Sequence, residues 1–542
     1  MKKNFRTFAA IALAAGSLLA TTSCSKDNND PVDNTLTEDN VLQNDEAAYS
    51  LVDAALFQYY YKAFGDSFIV EIFTSKTTSF EGPESAEGPM ISRLELEPTN
   101  YYFWKRWDFN SQAVALATAA IKQIEASPKV SDQAKKITIG RAKLARALGY
   151  HKLVRLFGEV PLYHKDEKST EPGTIDEIYA QIVQDLKDAA ELLPAGSNSL
   201  APSIPTKDAA YALLSRAYLD WGSKPLTYDQ VNAIKDSKKD PSTSYDNSRL
   251  QLAVEYADKV NATRYALDKD YTKIWGKDNE ASIDEKILTF VHDGDAVGTG
   301  NHQTHCSFTY GFELEQENHL SPSSDEYYLN WPKGDQRRDV AYIQDAYDNL
   351  GDSTAHFVVP YTVPRYGKFV DFTSEGPNQT YKLNDLDRIE IRYSEVLLNK
   401  AEALAILGRN AEAATTLNQL RERAFGDKAH NLTSATLDDV KAEWGYEFVY
   451  EQKEWFNLTR WKDLIKDLES VKDLEYFKEE YSTVGNKASF HGAGNWGVSE
   501  FFAKTYKHLH AKYDHRAGKY YRFLVPTYSD GTDRGIRQNP GY

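Results

Sequence analysis

From Thr138 to Phe157 the chain reads TIGRAKLARALGYHKLVRLF, and two strips of residues run along it at helical spacing. Tyr150, Leu153, Val154 and Phe157 follow the i, i+3, i+4, i+7 rule that puts large apolar groups on one buried face. Ala142, Ala145 and Gly149 make a second strip of small residues, where another helix can come close. Gly158 ends the segment and Pro161 cannot continue it. The preceding stretch WDFNSQAVALATAAIKQIEA is expected as the partner helix, so the two form a helical hairpin.

The same texture returns twice. TKDAAYALLSRAYLDWG and SRLQLAVEYADKVNA place Leu214, Tyr218 and Gly222, then Ala253, Ala257 and Val260, at spacings typical of the two helices of a tetratricopeptide repeat. SEVLLNKAEALAILGRNAEAATTLNQLRERA does the same with Leu397, Ala401, Leu404 and Gly408, then Ala413, Leu417 and Leu420. The connection from Ser223 to Asn247 is too long for a regular array, so the repeats are degenerate. Roughly 500 residues would suggest several domains by length alone, but helical repeats can fill that length as one body.

The first residues concern address rather than fold. Lys2, Lys3 and Arg6 precede an apolar run, Phe8 to Ala20, that is short of the about 20 residues a spanning helix needs. It is expected to be a signal peptide, residues 1–23. Thr21-Thr22-Ser23-Cys24 resembles a bacterial lipobox, which makes Cys24 the lipidated first residue of the mature chain. Acyl chains contribute about 0.8 kcal/mol per buried CH₂, so several anchor firmly. Residues 24–40, polar and acidic, are expected to be a flexible tether, and Ser25 to Asp30 resembles the export signal of Bacteroidetes surface lipoproteins. Cys306 is the only other cysteine, which rules out a disulfide framework. A formal net charge of -17 makes the chain a poor nucleic-acid binder.

Between the helical segments the texture changes. FTSKTTSFEGPESAEGPMISRLELEPTNYYFW is irregular near the N-terminus. From about Asp268 to Asp387 the sequence is loop-rich, with short strands expected at EKILTFVH and PYTVPRYGKFV. Long structured loops on a rigid frame commonly carry function.

Several segments together resemble the SusD/RagB family of surface nutrient-binding lipoproteins. RAKLARALGYHKLVRLFGEVPLY is similar to the family signature at Arg141, Ala142, Leu144, Arg146, Ala147, Tyr150, Leu153, Phe157, Gly158, Pro161 and Leu162. KDAAYALLSRAYL, IEIRYSEVLLNKAEAL, KAEWGYEFVYEQKEWFNLTRWKDL and the final RQNPGY resemble later family segments in family order. The chain departs at Gln452, Glu454 and Asn457, where the family prefers Gly, Arg and Asp, and these are expected to change packing and ion pairing. The resemblance implies a mostly α, SusD-like fold. Four degenerate tetratricopeptide-type helix pairs would frame a loop-rich region with a few short strands. Residues 41–542 would be a single domain, with the frame at 100–267 and 388–470 and ligand-binding insertions at 75–100 and 268–387.

The resemblance also implies a non-catalytic protein of the cell outer membrane. It would capture oligosaccharides and deliver them to a SusC-like TonB-dependent transporter; the alternative is a RagB-like subunit that captures peptides. No cofactor is implied; some family members bind calcium structurally, and nothing in this sequence fixes such a site. Sugar binding needs rings for C–H faces and polar groups for hydroxyls, and 13% aromatic residues supply the rings. The leading candidates are Asn301, His302, His305, Phe308, Tyr310 and Phe312 in one Gly-flanked loop, with Phe80 and Glu81 in a second loop. Tyr101, Tyr102 and Trp331 stand in reserve, while Trp104 and Trp107 are assigned to the core. His302 and His305, with Asp293 or Asp295, lack the helix and third strong ligand of a zinc site. Glu447, Glu451, Arg460 and Trp461 invite an active-site reading, but packing and salt bridges explain them better. A glycoside hydrolase would need two carboxylates about 5–10 Å apart across a cleft, and no segment resembles a catalytic motif.

Overall fold

The computed structural model describes residues 42–62, 78–81, 87–165, 169–275, 284–291, 319–322, 331–348, 357–366, 368, 387–471 and 510–542. Its frame is a succession of packed helices. Helix α1 (Asp45–Phe57) lies on α3 (Tyr101–Ala126) and α4 (Asp132–Phe157), which form the expected hairpin. α4 packs on α5 (Ile175–Leu192), α5 on α6 (Lys207–Gly222), and α6 on α8 (Asn247–Lys259). α8 leads to α10 (Tyr393–Ile406), which packs on α11 (Asn410–Phe425) and α12 (Leu437–Phe448). This order is compatible with a frame of tetratricopeptide-type pairs.

Local chemistry sets the helix ends. Ser131 caps α4 by accepting from the Ala134 amide, and Gly158 closes it at φ 78°. Thr174 with Glu177 and Thr436 with Asp439 build capping boxes at α5 and α12, each satisfying orphan amide groups. α3 begins at Tyr101 rather than at Trp107, because Asn100 accepts from the Tyr102 amide and Glu87 from the Tyr101 amide. The long connection after α6 is not wholly irregular: α7 (Tyr228–Ile234), with its own capping box at Thr227, occupies part of it.

Both strips of α4 are buried as expected. Tyr150, Leu153, Val154 and Phe157 enter the core. At Gly149 an added Cβ would stand 2.8 Å from Val114 Cγ2 and 3.0 Å from the Asn110 carbonyl oxygen, so α3 and α4 touch nearly backbone to backbone. Arg146 grips Asp185 through two hydrogen bonds of 2.8 and 2.7 Å, joining α4 to α5.

Among the described residues three two-stranded antiparallel sheets accompany the helices: β1 (Thr78–Glu81) with β3 (His319–Pro322), β2 (Lys286–Phe290) with β6 (Arg388–Arg392), and β4 (Tyr342–Asp348) with β5 (Phe357–Tyr366). β2 falls within EKILTFVH, and β5 overlaps PYTVPRYGKFV but begins three residues before it, at Phe357. The β2–β6 pair rests on α6 and runs directly into α10. Two short helices, α2 (Glu87–Ser92) and α9 (Arg338–Ala341), and two after α12, α13 (Glu454–Trp461) and α14 (Leu464–Ser470), complete the described α-helices. None of the described helices is long and apolar enough to cross a membrane.

Candidate ligand-binding face

The two insertions, far apart in sequence, meet at one small sheet. Phe80 pairs with Leu320 and Glu81 with His319. Phe80 and Glu81 therefore belong to a strand, not to the loop expected for them. Four residues are too few to show a strand period, and the partner that makes them extended comes from the other insertion. His319 closes the segment that carries Asn301, His302, His305, Phe308, Tyr310 and Phe312. Those six residues, like Cys24, lie outside the described residues. β3 in turn packs beside β5, and β1 beside α2.

α2 also packs on α3, whose first turns carry a run of rings. Phe103, Arg106, Trp107 and Asn110 form the buried face at i, i+3, i+4, i+7. The same period turns Tyr101, Trp104, Lys105 and Asp108 to the half-buried face. There Tyr101 meets Tyr102 edge to face at 5.4 Å and Trp104 edge to face at 5.4 Å. Trp104 meets Phe109 at 6.2 Å, and Lys105 Nζ lies 3.8 Å from the Tyr101 ring centre. Burial raises the Glu87 carboxyl above its ordinary value where it accepts from the Tyr101 amide. Such a patch offers apolar ring surface beside hydrogen-bonding edges, which is what a sugar ring requires.

The reserve candidates divide. Tyr101 and Tyr102 stand in this patch. Trp331 does not: it is buried and packs on Tyr446 at 5.1 Å, so it belongs to the core. Trp104, assigned to the core from the sequence, is half-buried and joins the patch, whereas Trp107 is fully buried. Trp104 and Phe109 were legible in YYFWKRWDF once the helix was started at Tyr101.

Glu447, Glu451, Arg460 and Trp461 fall in two buried ion clusters. Glu447 accepts from Arg337 at 2.8 Å and from Arg392 and Arg423 at 2.5 Å each. Glu285 accepts from Arg392 and Arg423, Glu443 pairs with Arg337, and Glu451 takes Lys368 and Arg392. Burial pushes the Glu447 carboxyl up, but Arg423, Arg392 and Arg337 outweigh it and hold it well below the usual carboxylate range. In the second cluster Arg460 clasps Glu402 through two bonds of 2.8 Å and reaches Asp220 at 3.1 Å. Trp461 also donates to Glu402, and His151 and Arg155 meet Asp220. These carboxylates are paired mainly with guanidinium groups, an arrangement that packing and salt bridges explain.

The family departures have physical counterparts. Gln452 stands at φ 60°, a left-handed conformation that suits glycine. Asn457 Oδ1 accepts from Arg460, and Glu454 lies in the first turn of α13, where negative charge suits the helix end. Among the described residues no group of three or more His, Cys, Asp or Glu is arranged to hold a metal ion. His302, His305, Asp293 and Asp295 lie outside them.

A sequence profile of the SusD family matches residues 263–542, and another, for starch-binding proteins associating with the outer membrane, matches residues 19–219. SusD-like protein P2 of Formosa agariphila is 26% identical over 391 residues, 65% of this chain and 71% of that protein. A SusD-like protein of Bacteroides ovatus is 24% identical over 398 residues, 69% of this chain and 68% of that one. A solved SusD homolog from Bacteroides thetaiotaomicron superposes with a TM-score of 0.70 at 17% identity, covering 94% of this chain and 99% of its own. Surface glycan-binding protein A of the same organism, in complex with laminarihexaose, superposes with a TM-score of 0.65 at 18% identity, covering 92% and 99%.

Proposed function

We propose that this chain, which belongs to the SusD family, is a non-catalytic glycan-binding lipoprotein of the bacterial cell surface, anchored to the outer membrane through Cys24. It captures oligosaccharides and hands them to a SusC-like TonB-dependent transporter. The observation that carries this reading is the half-buried ring patch Tyr101, Tyr102, Trp104 and Phe109, connected through α2 to the sheet where both insertions meet. The glycan-bound relative with the same fold supports the ligand class. Asn301, His302, His305, Phe308, Tyr310 and Phe312 complete the face in this reading, with Phe80 and Glu81 beside them.

Affinity for one sugar ring is expected to be modest. If a pyranose covers roughly 100 Å² of an aromatic side chain, the apolar contact is worth about 2.5 kcal/mol. Several rings along one chain then add by avidity. The test is native affinity electrophoresis of the protein lacking the signal peptide and Cys24, through gels holding a panel of polysaccharides, followed by titration with oligosaccharides. Retardation by at least one glycan, weakened tenfold or more in Trp104→Ala and in Tyr310→Ala, is the expected result. An absence of both retardation and heat with every glycan tested would overturn the reading.

A further inference from the structure

We infer that Glu447 is a positioning residue for ligand capture: its buried cluster gathers the strand ends of the loop-rich region onto the helical frame. This rests on the binding function proposed above.

The chain positions involved make the argument. Glu285 stands immediately before β2, and Arg392 is the last residue of β6. Arg337 stands just before α9 and β4, and Lys368 just after β5. These are the places where the loop-rich region leaves the frame, where its β4–β5 ribbon begins and ends, and where it returns. Arg337 and Arg392 bind the Glu447 carboxylate, and Arg423 of α11 joins that carboxylate to Glu285. Lys368 Nζ donates to the Glu447 carbonyl at 2.8 Å and to Glu451 at 2.7 Å. The same carbonyl accepts from Tyr271 Oη at 3.0 Å and from Arg392 Nη2 at 2.8 Å.

The location is otherwise unfavourable for acids. Glu443 and Glu447 lie in the C-terminal half of α12, where the helix dipole disfavours negative charge, and Glu451 follows at once. All three are buried or nearly so. Buried ion pairs seldom add stability over a well-packed apolar cluster, but they fix which groups meet. Here the groups that must meet are four strand ends and one helix end. By contrast, the Glu402 cluster joins Arg460 and Trp461 of α13 to α10, with Asp220 of α6, and its bonds among the described residues reach no strand.

The experiment compares Glu447→Gln with Glu402→Gln. Hydrogen exchange is followed by mass spectrometry over 286–290, 342–348, 357–366 and 388–392, and over the helices α4 to α6. Glycan retention is read on the same preparations. The inference expects at least tenfold faster exchange of the strands in Glu447→Gln, with α4 and α5 unchanged, and at least tenfold weaker retention. Glu402→Gln should leave strand exchange and retention as in wild type. Strand exchange unchanged in Glu447→Gln, or retention weakened equally by both substitutions, overturns it. Should Glu447→Gln fail to fold, Lys368→Met removes one clamp, and faster exchange confined to 357–366 is the expected result, wild-type exchange the refuting one. If the wild type retains no glycan, the binding function fails, while the exchange comparison still decides the role of Glu447.

Discussion

Replacing Gly149 by alanine sets two well-measured effects against each other. In the interior of a free helix the change stabilises by about 0.8–1.0 kcal/mol, because glycine loses more backbone freedom on folding. In the folded chain the new methyl would stand 2.8 Å from Val114 Cγ2 and 3.0 Å from the backbone oxygen of Asn110. The valine methyl can shift; the carbonyl is locked in α3 and cannot. Overpacking of this kind costs about 1–3 kcal/mol. The balance predicts net destabilisation of roughly 1 kcal/mol for Gly149→Ala. Gly140, in the same helix, supplies the control. A methyl there would meet two contacts at 3.0 Å: the Leu193 side chain, which can rotate away, and Leu192 Cβ, which gives way only if the last residue of α5 shifts. Gly140→Ala should therefore cost less than Gly149→Ala. Urea unfolding midpoints at constant slope read the difference directly. A higher midpoint for Gly149→Ala than for wild type would refute a backbone-close contact between α3 and α4.

Three further outcomes follow from the geometry. Burial holds the His151 imidazole down at about 4, with Arg155 adding to the effect and the Asp220 hydrogen bond opposing it. The unfolded chain takes up a proton near pH 6.5 and the folded one only near 4, so stability is full above pH 6.5 and falls between those values, by ~3 kcal/mol at most; His151→Gln should flatten that slope, and an unchanged slope would count against it. Gln452→Gly relieves a left-handed residue worth about 1 kcal/mol and removes a buried amide oxygen without a partner, while loosening the unfolded chain by about 0.4–1 kcal/mol, so it should be neutral or stabilising. A loss above about 1 kcal/mol in denaturant would refute that account. Trp331→Ala should cost about 3–5 kcal/mol as a core truncation, and Trp104→Ala less than half of that, checked by the same unfolding curves.

The frame was largely legible because helix periodicity is a local property. Tyr150, Leu153, Val154 and Phe157 lie where their spacing placed them, and the small strip at Gly149 marks a real close approach. The candidate ligand face was less legible for three physical reasons. The start of α3 depends on the Asn100 cap and on Glu87, so periodicity alone starts the helix six residues late, at Trp107, and assigns Trp104 to the core. Trp331 sits in a loop-like sequence, and its burial comes from Tyr446, a residue of a distant helix. β1 and β3 are four residues each, and their extended state is a property of the pair rather than of either segment.

That pairing also has a bearing on time. Phe80 and Leu320 are expected to meet after the frame between them has formed, because closing so long a loop is entropically costly until other contacts hold its ends. A two-stranded sheet of this length has little stability of its own. The sheet is thus among the last parts of the chain to assemble and among the first to open, at a free energy well below that of global unfolding. A ligand that bridged both strands would slow their opening in proportion to its occupancy and leave the melting of the frame almost untouched. Binding would be seen as a local lengthening of amide lifetimes at 78–81 and 319–322.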